Sequence, residues 1–304
     1  MAVTRLAKQA LRARSDGSSA GRRRLSRGKV QDMSAGYLAE VSTELAKGEI
    51  ARIYAEIRRL SAAPLVALLY RHLASQPGAL AALWRSVGPI LDSGELQERA
   101  WAAARTAWTG PVPDTGDALR DLAGDSLARA VDVIEVYNRA NPVNYMIICM
   151  LRVAGFAVTP ATRAALAPAW SPPAAISVIP PIPSMDALPA EVRAMVDSFA
   201  KADAPGAPLL VPTLYRHVSH WPLLLALVAR EVQPRLLQGV FTPAIKAFEA
   251  DCMDAAARLA ARHAFVADPL LATPALQNVF ERFGQVIPEM VVIGSFLRRM
   301  LLKT

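Results

Sequence analysis

Residues 65–91, LVALLYRHLASQPGALAALWRSVGPIL, return without a gap 145 positions later as residues 210–236, LVPTLYRHVSHWPLLLALVAREVQPRL. Thirteen of the 27 positions are identical: Leu65, Val66, Leu69, Tyr70, Arg71, His72, Pro77, Leu80, Ala81, Arg85, Val87, Pro89 and Leu91 match their second-copy partners. A segment this apolar cannot bury its face alone, so two copies in one chain predict two units packed about a pseudo-twofold axis, with a pocket between them. Outward from the repeat the pattern stays helical. Ile50, Ile53, Tyr54, Ile57 and Leu60 recur at three- and four-residue spacing, and the strong helix formers Ala, Leu, Glu and Arg dominate. Helices are predicted over 45–60, 65–75, 78–91, 94–108, 116–139, 143–154, 188–201, 210–220, 222–233, 242–263 and 285–302. Pro77 and Pro222 suit first helical turns, and Thr242 before Pro243 suits an N-cap. The fold class is all-α.

The chain divides into a basic extension (1–32), a first helical repeat (33–166), a proline-rich linker (167–190) and a second repeat (191–304). Of the net charge of +8, the first 32 residues carry +7, from nine Lys/Arg against Asp16 and Asp32, which leaves the body nearly neutral. That distribution gives no reason to expect specific nucleic-acid binding. The arm reads as a disordered extension or a start upstream of Met33, or as an organellar transit peptide, since no apolar stretch follows its charges. The linker holds seven prolines and almost no charge, which predicts an extended path. Its missing charged flank argues against an SH3-like partner.

Cys149 and Cys252 are far apart in apolar surroundings and predict reduced core thiols rather than a disulfide or metal framework. The four histidines show no metal-ligand spacing, so neither a metal nor an organic cofactor is expected. The longest apolar runs fall short of the roughly 20 residues a bilayer requires. These readings suggest a cytoplasmic protein, monomeric or homodimeric. No nucleophile elbow, P-loop or dinucleotide fingerprint is present, and Gly is only 16 of 304.

What remains is the doubled LYRH motif and the segment Tyr137–Tyr145, YNRANPVNY. Arg71 and Arg216 could face each other across the pseudo-twofold and clamp an anion with paired N–H donors, with Tyr215 beside them, or each could hold its own repeat together. Asn141, pushed out of the α region by Pro142, would sit at the N-terminal end of a buried helix, either orienting a water or anion or capping that helix.

The combination IYAEIRRL, PLVALLYRHLASQPGALAALWR, NRANP before an apolar helix, and VPTLYRHVSHWP after a proline-rich linker resembles the group I 2-haloacid dehalogenases from about Met33 onward. The resemblance implies two tandem all-α repeats and a small-molecule carboxylic acid as ligand. It further implies an aspartate that activates a water to displace halide directly, with inversion. It places Asn141 where the family holds that water and Leu214 where the family has the aspartate, with Thr213 beside it for a serine. The family's aromatic pocket walls fall at Leu65 and Leu68, and its Thr and Glu one turn apart at Ser93 and Gln97. Water attack needs a general base, worth about 10² to 10⁴ in rate, and Leu has no lone pair. Three readings follow: a divergent dehalogenase-like protein with an altered pocket, a working dehalogenase with a carboxylate from elsewhere within about 4 Å of the Asn141 amide, or a non-enzymatic helical scaffold.

Overall fold

The computed structural model describes residues 36–115, 119, 125–155, 170–176, 178–202 and 205–302. The basic arm up to residue 35, residues 116–118 and 120–124 of the predicted 116–139 helix, and the start of the linker lie outside the described residues.

Ten helices order the described chain: α1 (Gly48–Ser61), α2 (Leu68–Leu73), α3 (Ala79–Ser93), α4 (Glu95–Arg105), α5 (Asp125–Val153), α6 (Ala190–Asp197), α7 (Thr213–Val218), α8 (Pro222–Leu237), α9 (Thr242–Arg262) and α10 (Pro274–Leu302). The fold is all-α, and among the described residues the only extended pairings are isolated bridges, Tyr37 with Leu209 and Lys201 with Leu210. The helices run in two sets of five, and in three of the five places the members have nearly equal lengths: α2 with α7, α3 with α8, and α5 with α10. The six-residue α2 and α7 carry LYRH 145 positions apart, while α5 and α10 are both 29 residues long with an internal proline, Pro142 and Pro288, 146 positions apart.

Helices α5 and α10 pack along one another at the centre, with α4 and α9 against α5. Met146 through Leu151 are fully buried, so this stretch of α5 is apolar on every side and has no solvent face. That burial corrects the expected break at Pro142. A mid-helix proline costs about 3 kcal/mol, whereas each buried aliphatic side chain contributes roughly 1.5–3 kcal/mol, and a run of them carries the helix through. Asn141 is therefore mid-helix, not at a helix start. A second correction concerns α10, which begins at Pro274, eleven residues before the predicted start. Thr242 is the first helical residue of α9 and not its cap.

The described linker residues run extended, with one 3₁₀ turn at Met185–Ala187, and dock onto α7. His217 and Arg216 each bond linker carbonyls, of Pro180 and Pro183, just as His72 bonds the carbonyl of Ala39 in the strand-like strap, residues 37–41, that precedes α1. Each LYRH helix is thus tied to the chain that leads into its own copy. Both cysteines are buried free thiols. No helix among the described residues is long and apolar enough to cross a membrane.

Candidate functional site

A chamber of about 40 Å³ lies where α2, α5, α7 and α10 meet. Twelve of its fourteen lining residues fall into six pairs that share a register in the two copies: Ala67 with Pro212, Leu68 with Thr213, Leu69 with Leu214, Tyr137 with Phe283, Asn141 with Ile287, and Asn144 with Met290. Four of those pairs match a polar residue with an apolar one. Tyr137, Asn141, Asn144 and Thr213 supply the polar wall, and Phe283, Ile287, Met290 and Leu68 stand opposite in register. One wall carries hydrogen-bonding side chains, and the positions that share its register on the other wall carry none.

The polar wall is the joint work of α5 and α7. Tyr137, Asn141 and Asn144 fall at i, i+4 and i+7, one stripe of a continuous helix. The Tyr137 hydroxyl reaches His217 Nδ1 at 3.2 Å, and His217 Nε2 lies 2.5 Å from the Pro180 carbonyl. A carbonyl only accepts, so Nε2 carries the proton, Nδ1 keeps its lone pair, and Tyr137 donates to it. The matching pair in the other copy, Phe283 against His72, has its ring centroids 6.1 Å apart against 5.9 Å for Tyr137 and His217, but lacks the hydroxyl. Contacts 137–217 and 283–72 are reciprocal, the relation an isologous interface produces.

Burial pulls the His217 imidazole down to about 4, with the nearby charges of Arg71 and Arg216 acting in the same direction. Burial likewise pushes the Tyr137 phenol well above its usual range. Both groups are neutral at physiological pH. Because the unfolded imidazole titrates near 6.5 and the folded one near 4, the unfolded chain binds the extra proton in that window, so stability falls as pH drops from 6.5 towards 4. The loss should be on the order of 3 kcal/mol. Urea unfolding of wild type and His217→Gln at pH 7 and pH 4.5 checks this: the pH sensitivity should shrink in the variant, and an unchanged pH dependence would contradict the assignment.

Asn144 is almost fully buried, and its Nδ2 has no hydrogen-bond partner. It lines both the chamber and a neighbouring void of about 10 Å³ beside Ser61, Leu65 and Ala67, a space the size of one water. An orphaned buried amide donor marks a place where a ligand or water belongs. Tyr137 and Asn144 lie in the segment that the sequence marks out, yet it gives neither a role of its own; the i, i+4, i+7 spacing emerges once the helix is continued through Pro142.

The other sequence candidates separate. Asn141, Thr213, Leu214 and Leu68 meet at the chamber, whereas Leu65 lines the smaller void. Gln97 is buried away from the chamber and donates to the carbonyls of Leu60 and Leu91, and Ser93 bonds Ile90 at the end of α3, so both serve the α3–α4 junction. Tyr215 stacks on Phe199 at 3.8 Å rather than lining the chamber. Arg71 and Arg216 do approach a common anion, but that anion is the chain's own Glu40. Arg71 Nε binds Glu40 Oε2 at 2.8 Å and Arg216 Nη1 binds Oε1 at 3.3 Å. Burial alone would raise the Glu40 carboxyl, and the two guanidiniums overcome it and hold it below the usual carboxylate range. Among the described residues no Asp, Glu, His, Lys or Arg lines the chamber itself.

This arrangement of helices has counterparts among solved structures. A D-2-haloacid dehalogenase mutant superposes with a TM-score of 0.68 over 91% of this chain and 99% of its own, at 16% identity. The architecture is that of the D-2-haloacid dehalogenases. Two further dehalogenase structures agree: a mutant in complex with D-2-CPA (TM-score 0.54, 18% identity, 88% of this chain and 91% of that one) and a complex with L-LA (TM-score 0.59, 14% identity, 91% and 94%). No protein-family model and no curated protein sequence matches the chain. In this dehalogenase-like fold the chamber sits between the first and second sets of helices.

Proposed function

We propose that this chain is a divergent 2-haloacid dehalogenase-like protein that binds a small carboxylic acid or a close derivative in the chamber between its repeats and does not carry out hydrolytic dehalogenation at the rate general-base catalysis allows. The observation that carries this reading is the pair Leu69 and Leu214, aliphatic in both copies and both lining a chamber that has no Asp, Glu, His, Lys or Arg among its described lining residues. The polar wall can orient a ligand or a water through Tyr137, Asn141, Asn144 and Thr213, but it cannot take a proton from that water at neutral pH. The volume fits a molecule of a few heavy atoms, well below the roughly 300–1,000 Å³ of ordinary ligand sites.

The competing reading, an active dehalogenase with a substitute base, requires a carboxylate at the Asn141 amide. His217, hydrogen-bonded to Tyr137 of the chamber wall, could act as a base only at one remove, and burial holds it too weakly basic for the task. Purified protein given 2-chloropropionate should release no halide above the uncatalysed background, while NMR titration should show the compound perturbing Asn141 and Asn144. Robust halide release would overturn the reading, and so would the absence of any perturbation at those amides.

A further inference from the structure

Leu68 belongs to two cavities. It lines the chamber and also an outer cavity of about 50 Å³, bounded by Tyr37, Leu38 and Glu40 of the strap, Met185 and Asp186 of the linker, and Leu209, Val211 and Arg216 of the second repeat. Asp186 is exposed and Tyr37, Leu38 and Leu209 are half-buried, so the outer cavity reaches the surface. Of the residues lining the chamber, Leu68 alone also lines the outer cavity.

The walls around it are pinned. Leu38 N–H donates to the Leu209 carbonyl at 3.2 Å, Val41 N–H to the Arg71 carbonyl at 2.9 Å, His72 to the Ala39 carbonyl at 2.7 Å, and the Tyr37 hydroxyl to Asp197 at 2.8 Å. The Glu40–Arg216 ion pair closes one side. Leu68 is held less firmly. It is the first residue of α2, preceded by Ala67 in extended conformation, so there is no earlier helical turn to restrict its χ1. Space on both sides leaves its staggered rotamers room to interchange, a motion of picoseconds to nanoseconds where unhindered. Its counterpart in the second copy, Thr213, is β-branched and stiff at χ1.

We propose that Leu68 is the gate and size filter of the chamber: ligands pass from the outer cavity beneath the strap into the chamber by displacement of this one side chain. The proposal rests on the chamber being a ligand site. It assigns Leu68 control of access in addition to its place in the wall.

Cysteine labelling tests it without a known ligand. In full-length Leu214→Cys the new thiol lines the chamber, and methyl methanethiosulfonate caps it as a methyl disulfide while expelling methanesulfinate. Wild type supplies the background, because Cys149 and Cys252 are fully buried. Adding Leu68→Ala should speed labelling about tenfold or more, and adding Leu68→Trp should slow it by a similar factor. The larger benzyl reagent should react appreciably only in the Leu68→Ala background. Leu65→Ala, which truncates an equally buried leucine beside the smaller void, controls for general loosening and should leave the rate within about twofold. Labelling of Leu214→Cys that ignores both Leu68 changes, or responds equally to Leu65→Ala, overturns the gate and leaves the chamber intact as a site. No labelling in any background, Leu68→Ala included, removes the chamber itself and the gate with it.

Discussion

Leu214→Asp should switch on halide release from 2-chloropropionate by at least about 10²-fold over the wild-type chain, the lower end of what a positioned general base supplies. Leu214 is 1% exposed and lines the chamber next to Thr213, between the polar stripe of α5 and the apolar face of α10. A carboxylate there would stand beside any water that Asn141 and Asn144 hold, which is the one component the chamber lacks. Burial would raise its pKa, so the new activity should increase with pH through a value above the ordinary aspartate range rather than plateau at pH 5. The same burial destabilises the fold by an amount of order 1–3 kcal/mol, which thermal unfolding would register. Leu214→Asn shares most of that cost without the base and should stay inactive. Leu69→Asp, the same register in the first copy, should also gain nothing, because that leucine lies on α2 with the apolar Leu68 beside it. A folded Leu214→Asp protein that releases no halide would show that the polar wall does not hold a water in line for attack.

How far the sequence announced this chamber depends on the kind of signal. The doubled LYRH stretch is a local, contiguous pattern, and it located α2 and α7 and the helical class at once. Asn141 and Thr213 were legible through resemblance and lie at the chamber. Tyr137 and Asn144 were not, because Pro142 between them reads as a break and hides that 137, 141 and 144 share one helix face. Leu276, Val279, Phe280 and Phe283 carry the same i, i+3, i+4, i+7 spacing, yet Gly284 and Pro288 punctuate it, and the first eleven residues of α10 were missed for the same reason. In both cases tertiary packing overrode a local propensity, through burial on all sides in α5 and through the packing of one face at the start of α10, and no window of sequence contains that packing. Glu40 is the plainest example of what sequence cannot show. It lies in a segment with no periodicity, and only the three-dimensional arrangement makes it the shared partner of two arginines 145 positions apart.

Removing that partner should be the most damaging single change to stability. Arg71 and Arg216 have side chains only 4% and 13% exposed, and Glu40 is the carboxylate that answers both. Without it two guanidiniums remain buried with one or two carbonyl contacts each, Arg71 on Val66 and Arg216 on Pro183, while Arg71 Nη2 already has no partner. Leaving a buried charge uncompensated costs roughly 3–5 kcal/mol, so Glu40→Gln should lower unfolding free energy by about that amount at pH 7. The pH dependence separates this residue from His217. Because the folded Glu40 pKa lies below its unfolded value, its contribution is complete above the unfolded value of about 4.5 and disappears as pH falls through the folded one. Stability of Glu40→Gln should therefore converge on wild type in strong acid, whereas the His217 loss already begins as pH falls below about 6.5. If the cost arises from the stranded cations rather than from lost packing, replacing the whole cluster (Glu40→Leu, Arg71→Met, Arg216→Met) should restore most of it, since a buried ion triad and a well-packed apolar one are often close in energy. Equal destabilisation in the triple variant would instead assign the loss to the strap and linker carbonyls that the arginines hold, and would make the repeat-to-repeat tie a matter of hydrogen bonds to backbone.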